Sequence, residues 1–135
     1  MNLNLKTLAA KDTDTFQLRN GDDELLMAGD QRVTATVYGP GSKEYQKATA
    51  KATSRAIERM KKRGKVDQSA EDRLAESAGH LADITHSFEG LDYEGLTGRE
   101  LAIAIYSDPQ LGFIAEQVNK HSADWANFTK GSQAS

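Results

Sequence analysis

The chain has no cysteine, only two prolines and one tryptophan, and no apolar run long enough to cross a membrane. Without thiols it forms no disulfide and offers no thiolate nucleophile or metal ligand, which fits a reducing compartment. The missing apolar run argues against a transmembrane helix. There is also no charged-then-apolar leader ending in a small-residue cleavage site, so the chain is expected to be soluble and to stay where it is made. Large apolar residues are scarce: Leu, Ile, Val and Phe make up 25 of 135 positions, just under the roughly 20% below which disorder becomes a concern. A net charge of −3 is too small to keep the chain open by repulsion. Length and composition predict one folded domain with a thin core, able to gain stability from a partner.

The small net charge conceals a strong asymmetry. Residues 1–40 carry four basic and six acidic side chains, residues 41–65 nine and two, and residues 66–135 four and twelve. The segments therefore stand at −2, +7 and −8.

The pattern predicts an α+β fold in a single domain over 1–128, with a β-rich part over 1–40 and a helical part of about four helices over 42–128. "TFQLR" (15–19) and "RVTATVY" (32–38) alternate with period two and enclose the turn signals "NGDD" and "AGD", so a β-hairpin or a small three-stranded meander is expected. Val33, Ala35 and Val37 share one face of it. "YGPGS" then breaks the strand, and Ser42 suits the N-cap of a helix to Arg63, with Gly64 beyond its end. That helix has a narrow seam (Tyr45, Ala48, Ala52, Ala56, Met60) and a basic band (Lys43, Lys47, Lys51, Arg55, Arg59).

Ser69 and Asp72 resemble a capping box for a second, acidic helix to about Phe88, with a seam at Leu74, Ala78, Leu81, Thr85 and Phe88. A short joint predicts antiparallel packing of the two helices. Thr97 and Glu100 form a capping box for "RELAIAIY", apolar all round and so expected as a buried helix, with a short buried strand as the lesser reading. Asp108 and Pro109 open a last helix in which Leu111, Ile114, Val118, His121, Trp125 and Phe128 follow spacings of 3, 4, 3, 4 and 3. Residues 129–135 are expected to be a disordered tail.

No arrangement points to catalysis, metal or a cofactor. His80, Glu76 and Asp83 could meet on one helix face, but zinc sites need more nitrogen or sulfur ligands than that. His121 on an apolar seam reads as a packed histidine. "GPGSK" lacks the spacing of a phosphate loop, "DTDTF" lacks the later ligands of a calcium loop, and no Ser-His-acid or Cys-His pattern is present. The basic band could contact phosphates, but no aromatics are interleaved with it and the chain as a whole is acidic, so nucleic acid is not expected. What remains is surface for other proteins. Five of the nine aromatics (Tyr93, Tyr106, Phe113, Trp125, Phe128) lie between 93 and 128, more apolar mass than a monomer usually leaves bare. Phe113, Ile114, Val118, Trp125 and Phe128 are therefore the candidate oligomer or client surface, with Lys43, Lys47, Lys51, Arg55 and Arg59 orienting acidic partners.

The order "VTATVYGPGSKEYQKA", "RAIERMKKRGK", "FEGLDYEGLTG" and "YSDPQLGFIAEQVNKHSADWANFTKGS" resembles the tail assembly chaperones of long-tailed bacteriophages, over nearly the whole chain from about Thr34. The resemblance implies a non-enzymatic protein of the host cytoplasm, absent from the mature virion. It implies binding to the tape measure protein, which is kept soluble while tail tube protein subunits assemble around it. It also implies a frameshifted longer form sharing this N-terminal domain, this chain being the shorter form, and allows a homo-oligomer. The alternatives are a minor structural tail protein retained in the virion and a small nucleic-acid-binding protein.

Overall fold

The computed structural model describes residues 1–61 and 69–129. The proposed end of the first long helix at Arg63 and Gly64, and residues 130–135 of the expected tail, lie outside the described residues; Thr129, expected as the first residue of a disordered tail, is instead the last residue of a helical turn. The fold is α+β. After one 3₁₀ turn (Leu5–Leu8) come β1 (Thr13–Gln17), the short ribbon β2 (Met27–Ala28) and β3 (Gln31–Arg32), and β4 (Thr34–Tyr38). α1 (Lys43–Lys61), α2 (Ala70–Asp83), β5 (Thr85–Glu89), α3 (Gly98–Tyr106), α4 (Gly112–Ala123) and the single turn α5 (Ala126–Thr129) follow.

The main sheet has the order β1-β4-β5, antiparallel throughout. Along β4 the backbone alternates: Val33 accepts from the Leu18 N–H and Gly39 donates to the Asp12 carbonyl on the β1 side, whereas the Tyr38 N–H donates to the Ile84 carbonyl on the β5 side. β-branched residues hold the pleat, and the Thr15 and Thr36 hydroxyls bond across it at 2.6 Å. As expected, Val33, Ala35 and Val37 point inward and are buried. They meet Leu81 and Ile84, Leu101 and Ile105 of α3, and Ile114 and Val118 of α4 in one core.

β5 corrects the expected second helix. Leu81, Thr85 and Phe88 fit helical spacing, but α2 stops at Asp83 and "THSFE" is a strand, with a register shift opposite Thr36 and Val37. The even-numbered residues of β4 need backbone partners, and the β-branched and aromatic side chains of β5 suit a half-buried pleat. The last helix is also corrected. A 3₁₀ turn (Pro109–Leu111) precedes α4, and Asp124 is extended and breaks the run. Its carboxylate accepts from the Ala126 N–H at 3.0 Å and so starts α5 as a separate turn.

The caps fare unevenly. The Ser42 hydroxyl accepts from the Tyr45 N–H at 3.1 Å and donates to the Gly39 carbonyl at 2.9 Å, fully buried. Ser69 accepts from the Asp72 N–H, and Asp108 from the Gln110 N–H. Thr97 stands at the α3 N-cap but makes no side-chain cap bond, so the expected box with Glu100 does not form. α3 itself is a helix, with Leu101, Ala102, Ile105 and Tyr106 buried.

Tyr106 is the core's one buried phenol, at 3% exposure. Thr85 Oγ1 donates to the Leu81 carbonyl at 2.7 Å, so its single proton is committed and the Tyr106 O–H donates to it at 2.6 Å. Burial raises the Tyr106 pKa well above its ordinary value. A raised folded-state pKa leaves stability intact below the unfolded value, about 10, and removes it as pH climbs above that. Urea unfolding is therefore expected to show stability falling from about pH 10, and Tyr106→Phe is expected to flatten most of that fall.

Candidate interaction surface

α1 and α2 form the charged layer. Arg59 donates both to Glu76 Oε1 and, at 2.7 Å, to Oε2, while Arg55 lies 3.7 Å from the same carboxylate. Lys51 approaches Asp83 at 3.6 Å, and Arg99 of α3 donates to the other Asp83 oxygen. Low-numbered residues of α1 meet high-numbered residues of α2, so the two helices run antiparallel. Three of the five band residues (Lys51, Arg55, Arg59) therefore face acids within the molecule. Lys43 and Lys47 are exposed, with no ion pair among the described residues. The acids are half-buried but the Lys51 and Arg59 ends reach solvent, and solvent-screened pairs are worth roughly 0.2–1 kcal/mol each, so they set the alignment of α1 more than its stability.

The C-terminal aromatics do not form one surface. Ile114 and Val118 are buried, and Phe113 is partly buried against the core. Phe128 is 0% exposed. Its ring occupies the space a side chain would need at residue 39: a Cβ on Gly39 would stand 2.5 to 2.8 Å from three of its ring carbons. Its carbonyl accepts from the Lys11 N–H at 2.8 Å, tying α5 to the approach to β1. His121 supports it from the other side, stacked on Phe16 at 4.0 Å, edge-on to Phe128 at 6.2 Å and bonded through Nε2 to Asp14 at 2.7 Å. Ile114, Val118 and Phe128 thus belong to the protein's own core. Trp125 does not: it is 56% exposed, its indole lying over Gly41 just ahead of α1.

Other exposed apolar residues escaped the sequence reading. Leu3, Leu5 and Leu8 lie bare on the N-terminal arm, Met27 on the small ribbon and Leu25 just before it. Ile57 and Met60 lie bare on α1, Met60 at 76% exposure. The expected inner seam holds at Tyr45, Ala48, Ala52 and Ala56, with Ala48 buried and the other three half-buried, but Met60 does not share it. A second spacing of 4, 3, 4 and 3, through Gln46, Ala50, Thr53, Ile57 and Met60, runs along the opposite side and was available as a signal. All five are exposed.

A concavity of about 520 Å³ opens between β5 and the start of α3 and is lined by Tyr38, Asp83, His86, Phe88, Leu96 and Arg99 among others. Of its two carboxylates, Glu44 and Asp83, the second is already shared between Lys51 and Arg99. Burial, and to a lesser degree the charge of Glu44, raises the Tyr38 pKa. His80, Glu76 and Asp83 do not come together as ligands: both acids are held by cations, and among the described residues no group of three or more His, Cys, Asp or Glu side chains is placed to hold a metal. Among the described residues no helix is long and apolar enough to cross a membrane. No family model, curated protein or solved structure matches the chain.

Proposed function

We propose that the chain is a tail assembly chaperone of a long-tailed phage: it binds the tape measure protein, keeps it soluble and helps recruit tail tube subunits during tail morphogenesis. It acts without catalysis or cofactor in the host cytoplasm and leaves before the virion is complete. The observation that carries this reading is the exposed apolar set, Trp125, Ile57 and Met60 foremost, on a domain whose core is already closed by Phe128. A protein that covers another chain needs exposed apolar surface of this kind. The motif order of the sequence supplies the class of client.

The test is co-expression with the tape measure protein encoded in the same genome. The reading predicts that the client moves from the pellet to the soluble fraction and co-elutes with this chain on size exclusion. Mass spectrometry of purified virions is expected to find tape measure and tube proteins but not this chain; its presence there would favour a retained minor tail protein. An insoluble client with the chain present would overturn the chaperone reading.

A further inference from the structure

The outer face of α1 has no partner among the described residues. We propose that this face, with Trp125 at its N-terminal end, is a docking surface for an amphipathic α-helix bordered by acidic side chains. Ala50, Thr53, Ile57 and Met60 line up along it at helix-packing spacing, all exposed. α1 has 19 residues, about 28 Å at 1.5 Å per residue, so it offers a whole partner helix a continuous seat. Small residues at 50 and 53 permit close approach, and Ile57 and Met60 supply the apolar contact. The indole of Trp125 adds a large half-exposed ring beside the first turn of α1, of the kind that anchors interfaces.

Charge selects the occupant. Lys51, Arg55 and Arg59 are used against α2 and α3-linked acids on the inner side. Lys43 and Lys61 border the outer face, whereas Lys47 lines the groove toward α2 with Glu44, Lys51 and Asp83. An acidic border on the incoming helix pairs with Lys43 and Lys61 and steers the encounter. A second copy of α1 fits badly. Packed antiparallel, it would bring Lys43 of one copy beside Lys61 of the other; packed parallel, each lysine would face itself. The surface therefore excludes its own kind and takes an acidic helix. This deepens the chaperone reading, on which it rests for the identity of the natural client, but the surface is tested without that client.

The probe is a synthetic helix of about 20 residues, free of tryptophan, with Leu and Ala on one face and Glu along its borders. Its twin carries Lys in place of each Glu. Trp125 is the chain's sole tryptophan, so its emission reports occupancy directly. The acidic peptide is expected to shift that emission to the blue, with an affinity that weakens as salt rises. The basic twin is expected to give no shift. Ile57→Glu with Met60→Glu is expected to weaken binding at least about tenfold. Both residues are exposed, so the unfolding midpoint should hold. Should that variant fail to fold, Lys43→Glu with Lys61→Glu serves instead and is expected to reverse the preference toward the basic twin. Equal responses to both peptides, no response to either, or unchanged binding by the folded variants would overturn the proposal. Failure of the chaperone reading would show separately, as a tape measure protein that stays insoluble while the acidic peptide still binds.

Discussion

Phe128→Ala is expected to lower the unfolding free energy by about 3–5 kcal/mol, although the residue lies near the end of the chain. Typical domains hold only about 5–15 kcal/mol in total, so the variant should be close to unfolded at physiological temperature. The effect follows from place rather than type. The ring is fully buried, seated over the backbone of Gly39 and flanked by His121, which is itself stacked on Phe16. Deleting it leaves a void between α5 and the end of β4 that rigid neighbours cannot close. Trp125→Ala, three positions earlier, removes a larger but half-exposed side chain and should cost less than about 1.5 kcal/mol. Urea unfolding of the two variants gives the comparison directly. Equal small losses would mean that α5 is not part of the core.

Gly39→Ala is the second large effect, and it probes the same contact from the backbone side. The residue needs no left-handed conformation; what forbids a side chain is space. A methyl group at 39 would lie at 2.5 Å from Phe128 Cδ1, well inside contact distance, and the ring is too enclosed to move freely. Overpacking of this kind costs about 1–3 kcal/mol. The neighbouring bonds raise the stake, because Gly39 donates to the Asp12 carbonyl and accepts from the buried Ser42 hydroxyl that caps α1. A shift at 39 is thus felt in β1 and in α1 together. With Phe128→Ala in the background the clash is gone and the added methyl fills part of the void. The double variant is therefore expected to cost less than the sum of the singles by about 0.5–3 kcal/mol. Strict additivity would show that the two residues do not meet.

Much of this fold is legible in the sequence wherever a local rule decides the outcome. The Ser42 cap, the inward face at Val33, Ala35 and Val37, and the pairing of a basic with an acidic helix all follow from neighbours a few positions apart. The failures share a different cause. Thr85 and Phe88 satisfy helical spacing with Leu81, so periodicity favoured continuing α2. What decides against it is an unfilled lane beside β4, a demand set by residues some 50 positions away. Trp125 and Phe128 likewise continue the spacing of α4, yet Asp124 restarts the chain as a separate turn and sends the two rings to different environments. "SADWAN" did hold that signal, since aspartate is a strong N-cap. The fit of Phe128 over Gly39 spans 89 positions and leaves no local trace. For the surface, attention to the heaviest aromatics hid the weaker stripe through Ile57 and Met60, because Ala and Thr on a lysine-rich helix pass for ordinary solvent-facing residues.

The interaction role depends on α1 working from both sides, held to α2 by its inner charges and open along its outer face. Amide hydrogen exchange on the complex with the tape measure protein, compared with the free chain, tests this most directly. The account predicts added protection concentrated in residues 43–61 and around Trp125, with the core strands unchanged. Protection confined to the N-terminal arm and the Leu25–Met27 stretch, with α1 exchanging as in the free protein, would contradict it.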